Sequence, residues 1–204
     1  MTPSNSVTAW RALLAACGVL IFIGGPMHPG GTMAEMLAHP MWFTGHALVF
    51  LGFVALVGAL VAYGRQDVPA RVRPWLRFAV VGAVVQGIEM AVHTMAYVDA
   101  ANLVAGRPTP VLTTHLWMTV IFYPVFAVTT AAFLVAATRA PSLGSPWVNW
   151  IGVIGVLCHG AAGLLVPLFE FEWARALFPM IVLFALWALL AAIWPRRAAV
   201  AAVA

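Results

Sequence analysis

The sequence predicts an all-α protein, a polytopic integral membrane bundle of six transmembrane helices with both termini in the cytoplasm. Two observations lead to this prediction. The 204 residues are 64% hydrophobic and only 8% charged, whereas soluble proteins carry about 25% charged residues. Long apolar runs also recur along the chain, each near the ~20 residues that a helix needs to cross a bilayer. The net charge of +4 is therefore explained by membrane topology, and no nucleic-acid partner is expected.

Turn-forming residues separate the apolar runs. Proline and glycine clusters, such as those at residues 26–31 and 140–146, mark positions where helices end. The predicted spans form one transmembrane domain over residues 1–204 and cover 8–26, 42–64, 74–98, 111–138, 147–168 and 175–194. The first span lacks a small-residue cleavage site followed by polar sequence, so it is predicted to be retained. Tryptophans near the predicted ends are interpreted as interfacial residues: Trp42, Trp75, Trp147, Trp150, Trp173 and Trp194.

Arginine placement predicts the orientation of the bundle. The chain has no lysine, and with the N-terminus inside only Arg107 and Arg175 fall on the outer side. An excess of basic residues in cytoplasmic loops is the usual pattern in membrane proteins. The sequence therefore predicts a multi-pass protein of the cell (inner or plasma) membrane, with the lipid bilayer as its first partner.

With this orientation, every histidine falls in the outer half of the bundle. His28 and His39 lie in the first outer loop, which is rich in methionine. Spans two to five each contribute one further histidine, at ~6 to ~13 Å below the outer surface for a rise of 1.5 Å per residue. These four residues are His46, His93, His115 and His159. We expect a layer of imidazoles beneath the outer loop.

Glu89 is the one acidic residue deep within a predicted span. It shares a helix face with Gln86 and with His93, because residues three and four apart lie side by side on a helix. An ionisable group in a membrane helix costs ~2.5 kcal/mol or more and normally faces the bundle interior. On the next span, Tyr123 belongs to a polar stripe that also contains His115. Glu89 and Tyr123 are therefore the candidate catalytic groups, the first as a proton carrier and the second as a further donor.

These residue types predict a transition-metal cofactor, either haem b or a non-haem iron or copper centre. Neutral imidazole binds zinc, copper, iron and nickel, and sites in helix bundles are built from inward-facing side chains on facing helices. The charge of a metal would also keep Glu89 ionised. The candidate cofactor-binding residues are His46, His93, His115 and His159, and the candidate ligands of a metal ion are these four with Glu89 and His28.

Histidines on four consecutive helices resemble the architecture of the ascorbate-dependent transmembrane b-type cytochromes. The ligands of those cytochromes are spread across both leaflets, whereas the histidines of this chain all lie in one. The resemblance is therefore architectural and implies no family membership.

Three function classes remain open. The first is a membrane redox protein, a metal-dependent oxidoreductase that exchanges electrons with a partner or oxidises a small or lipophilic substrate. The second is a protein that handles or transports copper, because Cu(I) prefers soft thioether ligands; the outer-loop candidates are Met27, Met33, Met36 and Met41. The third is a structural accessory subunit without a cofactor.

Two further features bear on these classes. The inner halves of the spans contain few polar residues, which favours a one-sided site over a conduit through the membrane.

A ridge formed by Gly152, Gly155 and Gly163 runs beside His159. Such ridges permit close helix contact, either within the bundle or with another copy in a homo-oligomer.

Overall fold

The computed structural model describes residues 6–139 and 143–194, and within these ranges the chain is helical with no strand. The α-helices are α1 (Ser6–Gly24), α2 (Met33–Ala38), α3 (Met41–Gly64), α4 (Arg73–Met95), α5 (Ala100–Val104), α6 (Pro110–Ala137), α7 (Pro146–Phe169) and α8 (Ile181–Ile193). Segments of 3₁₀ helix cover Gly25–Met27, Ala96–Asp99 and Glu172–Met180. The prediction of an all-α fold is confirmed.

Six helical segments are long and apolar enough to cross a membrane. They are Ala9–Met27, Met41–Gly64, Arg73–Val104, Pro110–Ala137, Pro146–Phe169 and Glu172–Ile193. The third segment continues beyond the predicted end at residue 98, because the chain turns through 3₁₀ geometry into α5. The sixth begins as 3₁₀ helix and becomes α-helical only after Pro179, whose missing N–H cannot donate to an α-helical ladder.

The six long segments pack in a closed ring that follows chain order. Helix α1 contacts α3, α3 contacts α4, α4 contacts α6, α6 contacts α7, α7 contacts α8, and α8 returns to α1. Because α3, α4 and α6 are consecutive members of this ring, side chains on their inner faces can meet. Within the described residues, the main contacts of α7 are with α6, α8 and the Glu172–Met180 segment.

The glycines of the predicted ridge on α7 face helices of the same chain. A Cβ added at Gly155 would lie 2.5 Å from the backbone nitrogen of Phe184 in α8, and one at Gly163 would lie 2.5 Å from the Tyr123 ring in α6. Glycine is thus required at Gly155 by a backbone that comes too close for any side chain.

Replacing Gly155 with alanine should destabilise the protein by about 1–3 kcal/mol, the usual cost of overpacking, because the new methyl group must push α7 and α8 apart. The free energy of unfolding in detergent measures this loss. The matched control is Gly87→Ala in α4, where a Cβ would lie 3.8 Å from Phe53 and alanine should stabilise the helix by about 0.5–1 kcal/mol. Equal effects of the two substitutions would contradict the packing described.

An aromatic cluster fills the middle of the bundle. Ring centroids are 5.2 Å apart for Phe53 and Phe126, and 5.6 Å apart for Phe126 and Phe184. All three side chains are at most 1% exposed. Phe53 lies about two turns beyond His46 along α3, so this cluster, here called the aromatic plug, lies on the far side of the histidines from α2.

Helices α2 and α5 cover one end of the ring, which we call the outer end. Thr32 and Glu35 start α2 with reciprocal capping bonds: the Thr32 backbone N–H donates to Glu35 Oε2 at 2.8 Å, and the Glu35 N–H donates to Thr32 Oγ1 at 3.4 Å. The backbone N–H and the hydroxyl of Thr32 both donate to Glu35 Oε2 and so lower the pKa of the Glu35 carboxyl. Leu37 of α2 then packs in a buried cluster with Trp42, Ala96 and Leu112. Asp99 stabilises the same end, since its buried carboxylate accepts the backbone N–H of Leu112 at 2.9 Å.

Candidate metal centre

Four histidine rings contact one another in sequence at the outer end. Ring centroids are 5.0 Å apart for His28 and His46, 4.2 Å for His46 and His93, and 3.8 Å for His93 and His115. His28 follows the first 3₁₀ segment, and the other three lie on α3, α4 and α6. His28 is exposed and the others are buried. These four residues, here called the histidine column, lead from the outer surface into the bundle.

Glu89 lies at the inner end of the histidine column and is fully buried. Its Oε1 is 2.7 Å from His115 Nδ1 and 3.7 Å from His93 Nδ1. Thr119 Oγ1 donates to the same oxygen at 3.3 Å, and Gln86 Nε2 donates to Oε2 at 2.9 Å. Hydrogen bonds therefore satisfy both oxygens, which offsets part of the cost of burying the carboxylate.

The potential ligands form two overlapping groups. The outer group is His28, His46 and His93, and the inner group is Glu89, His93 and His115. Within each group, one ligand atom from every member lies within 4.8 Å of the others. Nitrogen and oxygen ligands bound at about 2.1 Å lie about 3.4 Å apart around a tetrahedral ion. A metal ion bound by either group would require these ligand atoms to move closer together.

Backbone carbonyls orient two rings of the outer group. His28 Nδ1 donates to the carbonyl oxygen of Pro29 at 2.9 Å, and His46 Nδ1 donates to that of Trp42 at 2.6 Å. Because a carbonyl only accepts, the proton of each neutral ring is on Nδ1 and Nε2 keeps its lone pair for a metal. Metal-binding histidines commonly have such a partner on the other nitrogen. Desolvation of the His28 ring also lowers its pKa.

Trp42 forms a wall of the outer group. Its ring lies 5.4, 4.3 and 5.2 Å from those of His28, His46 and His93, and its Nε1 donates to the His93 carbonyl oxygen at 3.3 Å. The side chain is 2% exposed, so its interpretation as an interfacial tryptophan is wrong. The sequence held one signal for this role, since Trp42 and His46 share a helix face at a spacing of four.

Tyr123 and His159 form a stacked pair behind the histidine column. Their centroids are 4.6 Å apart at 22°, and the Tyr123 hydroxyl is 3.5 Å from His93 Nδ1. His159 Nδ1 donates to the Phe178 carbonyl oxygen at 3.3 Å. Its Nε2 is buried with no hydrogen-bond partner in the part of the chain that the structure describes. His159 thus belongs to neither ligand group, and α7 has its main contacts with α6 and α8.

The structure therefore brings together five of the six predicted metal ligands and both candidate catalytic groups. The methionines of the outer loop are placed differently. Met33 and Met36 pack against the buried cluster beneath α2, and Met41 is 45% exposed. The first two side chains thus have a packing role at the outer end.

The arrangement can hold a cation with imidazole and carboxylate ligands and offers a hydroxyl and a carboxylate for proton exchange. Comparison with other proteins adds no assignment to this geometry. The chain matches no known family model, no curated protein and no solved structure.

Proposed function

We propose that the chain is a multi-pass protein of the cell membrane that binds non-haem iron or copper in the histidine column and uses it for redox chemistry. One observation carries this proposal: residues from four separate segments converge as two three-ligand groups. Mixed imidazole and carboxylate ligands suit iron and copper. The proposal includes electron exchange with a partner protein or oxidation of a lipophilic substrate.

The charge distribution supports an orientation with the histidine column facing outward. Arg71 Nη2 donates to the Arg139 carbonyl oxygen at 2.6 Å, which links the α3–α4 and α6–α7 connections at the end opposite to α2. Basic residues concentrate on the cytoplasmic side of membrane proteins. We therefore place this end and both termini in the cytoplasm.

Packing of the rings favours a non-haem ion over haem b. His93 and His115 stack directly, at 3.8 Å and an interplanar angle of 27°. Two axial imidazoles of a haem lie on opposite faces of the porphyrin, so these two rings would have to separate to admit it. A single ion would require only that the ligand atoms of one group approach from within 4.8 Å to about 3.4 Å of one another.

Two groups beside His93 support redox chemistry. The Tyr123 hydroxyl and the Glu89 carboxylate lie within 3.5 and 3.7 Å of its Nδ1. Were an electron added to an ion held here, the local charge would fall by one, and a proton reaching the site by way of Glu89 or Tyr123 would restore it. Buried acids commonly have such a role in membrane proteins. The electron would come from a lipophilic substrate or a protein donor. An electron acceptor would then take the electron from the reduced ion and regenerate its oxidised form.

Copper handling is the second candidate, and the graded exposure of the ligands favours it. His28 is exposed and Glu89 is fully buried, so an ion could enter from the outer surface. Transport would also require passage through the aromatic plug. This obstacle supports a centre that is open to one side only.

Purification in mild detergent without chelators tests the proposed function. We expect stoichiometric iron or copper by elemental analysis, no Soret band, and an electron paramagnetic resonance signal that changes between dithionite and ferricyanide treatment. His39→Ala is the control, because His39 belongs to neither ligand group. Folded protein that neither contains nor takes up these metals would refute the proposal, and full stability of the His46→Ala/His93→Ala double variant would then support the accessory-subunit alternative.

A further inference from the structure

The two ligand groups point to a centre with two metal positions. We propose that the chain binds two transition-metal ions side by side, an outer ion at the outer group and an inner ion at the inner group. This inference rests on the proposed function, because it concerns the same residues. It goes beyond that function by stating how many metal ions the centre holds and by giving each ligand group its own ion.

The distances separate the five ligands into two positions. His28 and His46 share a group with His93 but not with Glu89 or His115, and Glu89 and His115 share the other group with His93. In the described ranges, the five ligands accordingly form two groups of three instead of one group of five.

Each group is sufficient to bind an ion by itself. Three protein ligands with a fourth position left for water or substrate are the usual composition of a catalytic zinc site. The outer group provides three imidazoles, and the inner group provides two imidazoles and a carboxylate. His93 lies between the groups, with the ring of His46 at 4.2 Å and that of His115 at 3.8 Å. To serve both ions at once, His93 would bind one through each ring nitrogen, as an imidazolate whose proton is released to solution.

The charges of two neighbouring cations are compensated in different ways. The inner ion would lie against the fully buried Glu89 carboxylate, which supplies a negative charge in the low-dielectric interior. The outer ion would lie beside the exposed His28, where water or an anion from solution can complete its coordination. Two ions that share His93 through its two ring nitrogens would lie farther apart than the about 3.5–4 Å found in many two-metal enzymes, so their repulsion would be weaker than in those sites.

Cobalt binding to the metal-free full-length protein in detergent tests this inference. Co²⁺ accepts the same nitrogen and oxygen ligands, and its visible absorption reports coordination while equilibrium dialysis counts bound ions. We expect two ions per chain in the unaltered protein and in the His39→Ala control. We expect one ion in His28→Ala, which keeps the inner group intact, and one in Glu89→Gln, which keeps the outer group intact.

The order of metal release provides a second measurement. A chelator should remove the outer ion first, because His28 opens the outer group to solvent, and the ion that remains should be absent from Glu89→Gln. His28 is an exposed residue, so its replacement should leave folding unchanged, and thermal unfolding of metal-free protein checks this.

The possible failures are distinguishable. One ion per chain in both the unaltered protein and His28→Ala would overturn the two-ion centre and leave a single metal site. Simultaneous loss of both ions in His28→Ala would show that the groups are not separate positions and would also overturn it. Absence of binding by Co²⁺, iron and copper to folded protein would instead refute the proposed function.

Discussion

Replacing His93 with alanine is expected to abolish metal binding, because His93 alone belongs to both ligand groups. The loss of affinity should exceed the 10–100-fold that removal of a partner outside the coordination sphere typically costs. Elemental analysis of purified protein and equilibrium dialysis with Co²⁺ measure the effect. Its size should surpass that of His28→Ala, which leaves one group complete.

The matched control for this substitution is His159→Ala. His159 is also a buried histidine, stacked on Tyr123, but it belongs to neither group. The His159→Ala variant should therefore retain its metal, even if the cavity left by the missing ring lowers the stability of the protein. Metal content at the unaltered level in folded His93→Ala would show that the histidine column is only a packing arrangement.

The second large effect is expected for Glu89→Gln, which should have opposite consequences for metal binding and for stability. The substitution removes the only carboxylate of the inner group and should strip the inner ion. In metal-free protein, however, it replaces an ionisable group in a membrane helix, which costs ~2.5 kcal/mol or more, with a neutral group of the same shape. Its thermal stability without metal should therefore be unchanged or higher.

Thermal unfolding with and without added Co²⁺ separates the two consequences. Metal stabilises a folded protein in proportion to the logarithm of one plus the ratio of the free metal concentration to the Kd, so Glu89→Gln, which raises the Kd, should lose much of the stabilisation by metal. Glu35→Gln is a suitable control, because Glu35 is an exposed acid that caps α2. Full metal-dependent stabilisation of Glu89→Gln would exclude the carboxylate as a ligand.

The six long apolar helices could be predicted because they depend on local properties. An apolar run of sufficient length forms a helix in lipid whatever its neighbours are, since its backbone must satisfy its own hydrogen bonds. Helix α2 was not predicted, because six residues are too few to show the repeat of apolar residues that marks a helix. Its start was nevertheless encoded, since Thr32 and Glu35 have the spacing of a capping box.

The candidate site could be predicted only in part. Depth along a helix can be counted from the sequence, so it could be predicted that His46, His93 and His115 lie in a common layer. The order of helices around the ring could not be counted in this way. That order brings α3, α4 and α6 together and leaves His159 behind Tyr123.

Trp42 and Asp99 show a second limit of sequence interpretation. A tryptophan near the start of a span is equally consistent with the lipid interface and with a buried wall, and only tertiary contacts distinguish them. Asp99 is buried because a backbone N–H on α6 needs an acceptor. That need arises from the meeting of two segments and leaves no local pattern.

The aromatic plug has a consequence for traffic into the site. Phe53, Phe126 and Phe184 interlock at centroid distances of 5.2 and 5.6 Å, inward of the histidines. Hydrocarbon rings in contact offer no group that relays a proton or binds an ion. Exchange between the histidine column and solution should therefore take place through its exposed end, at His28.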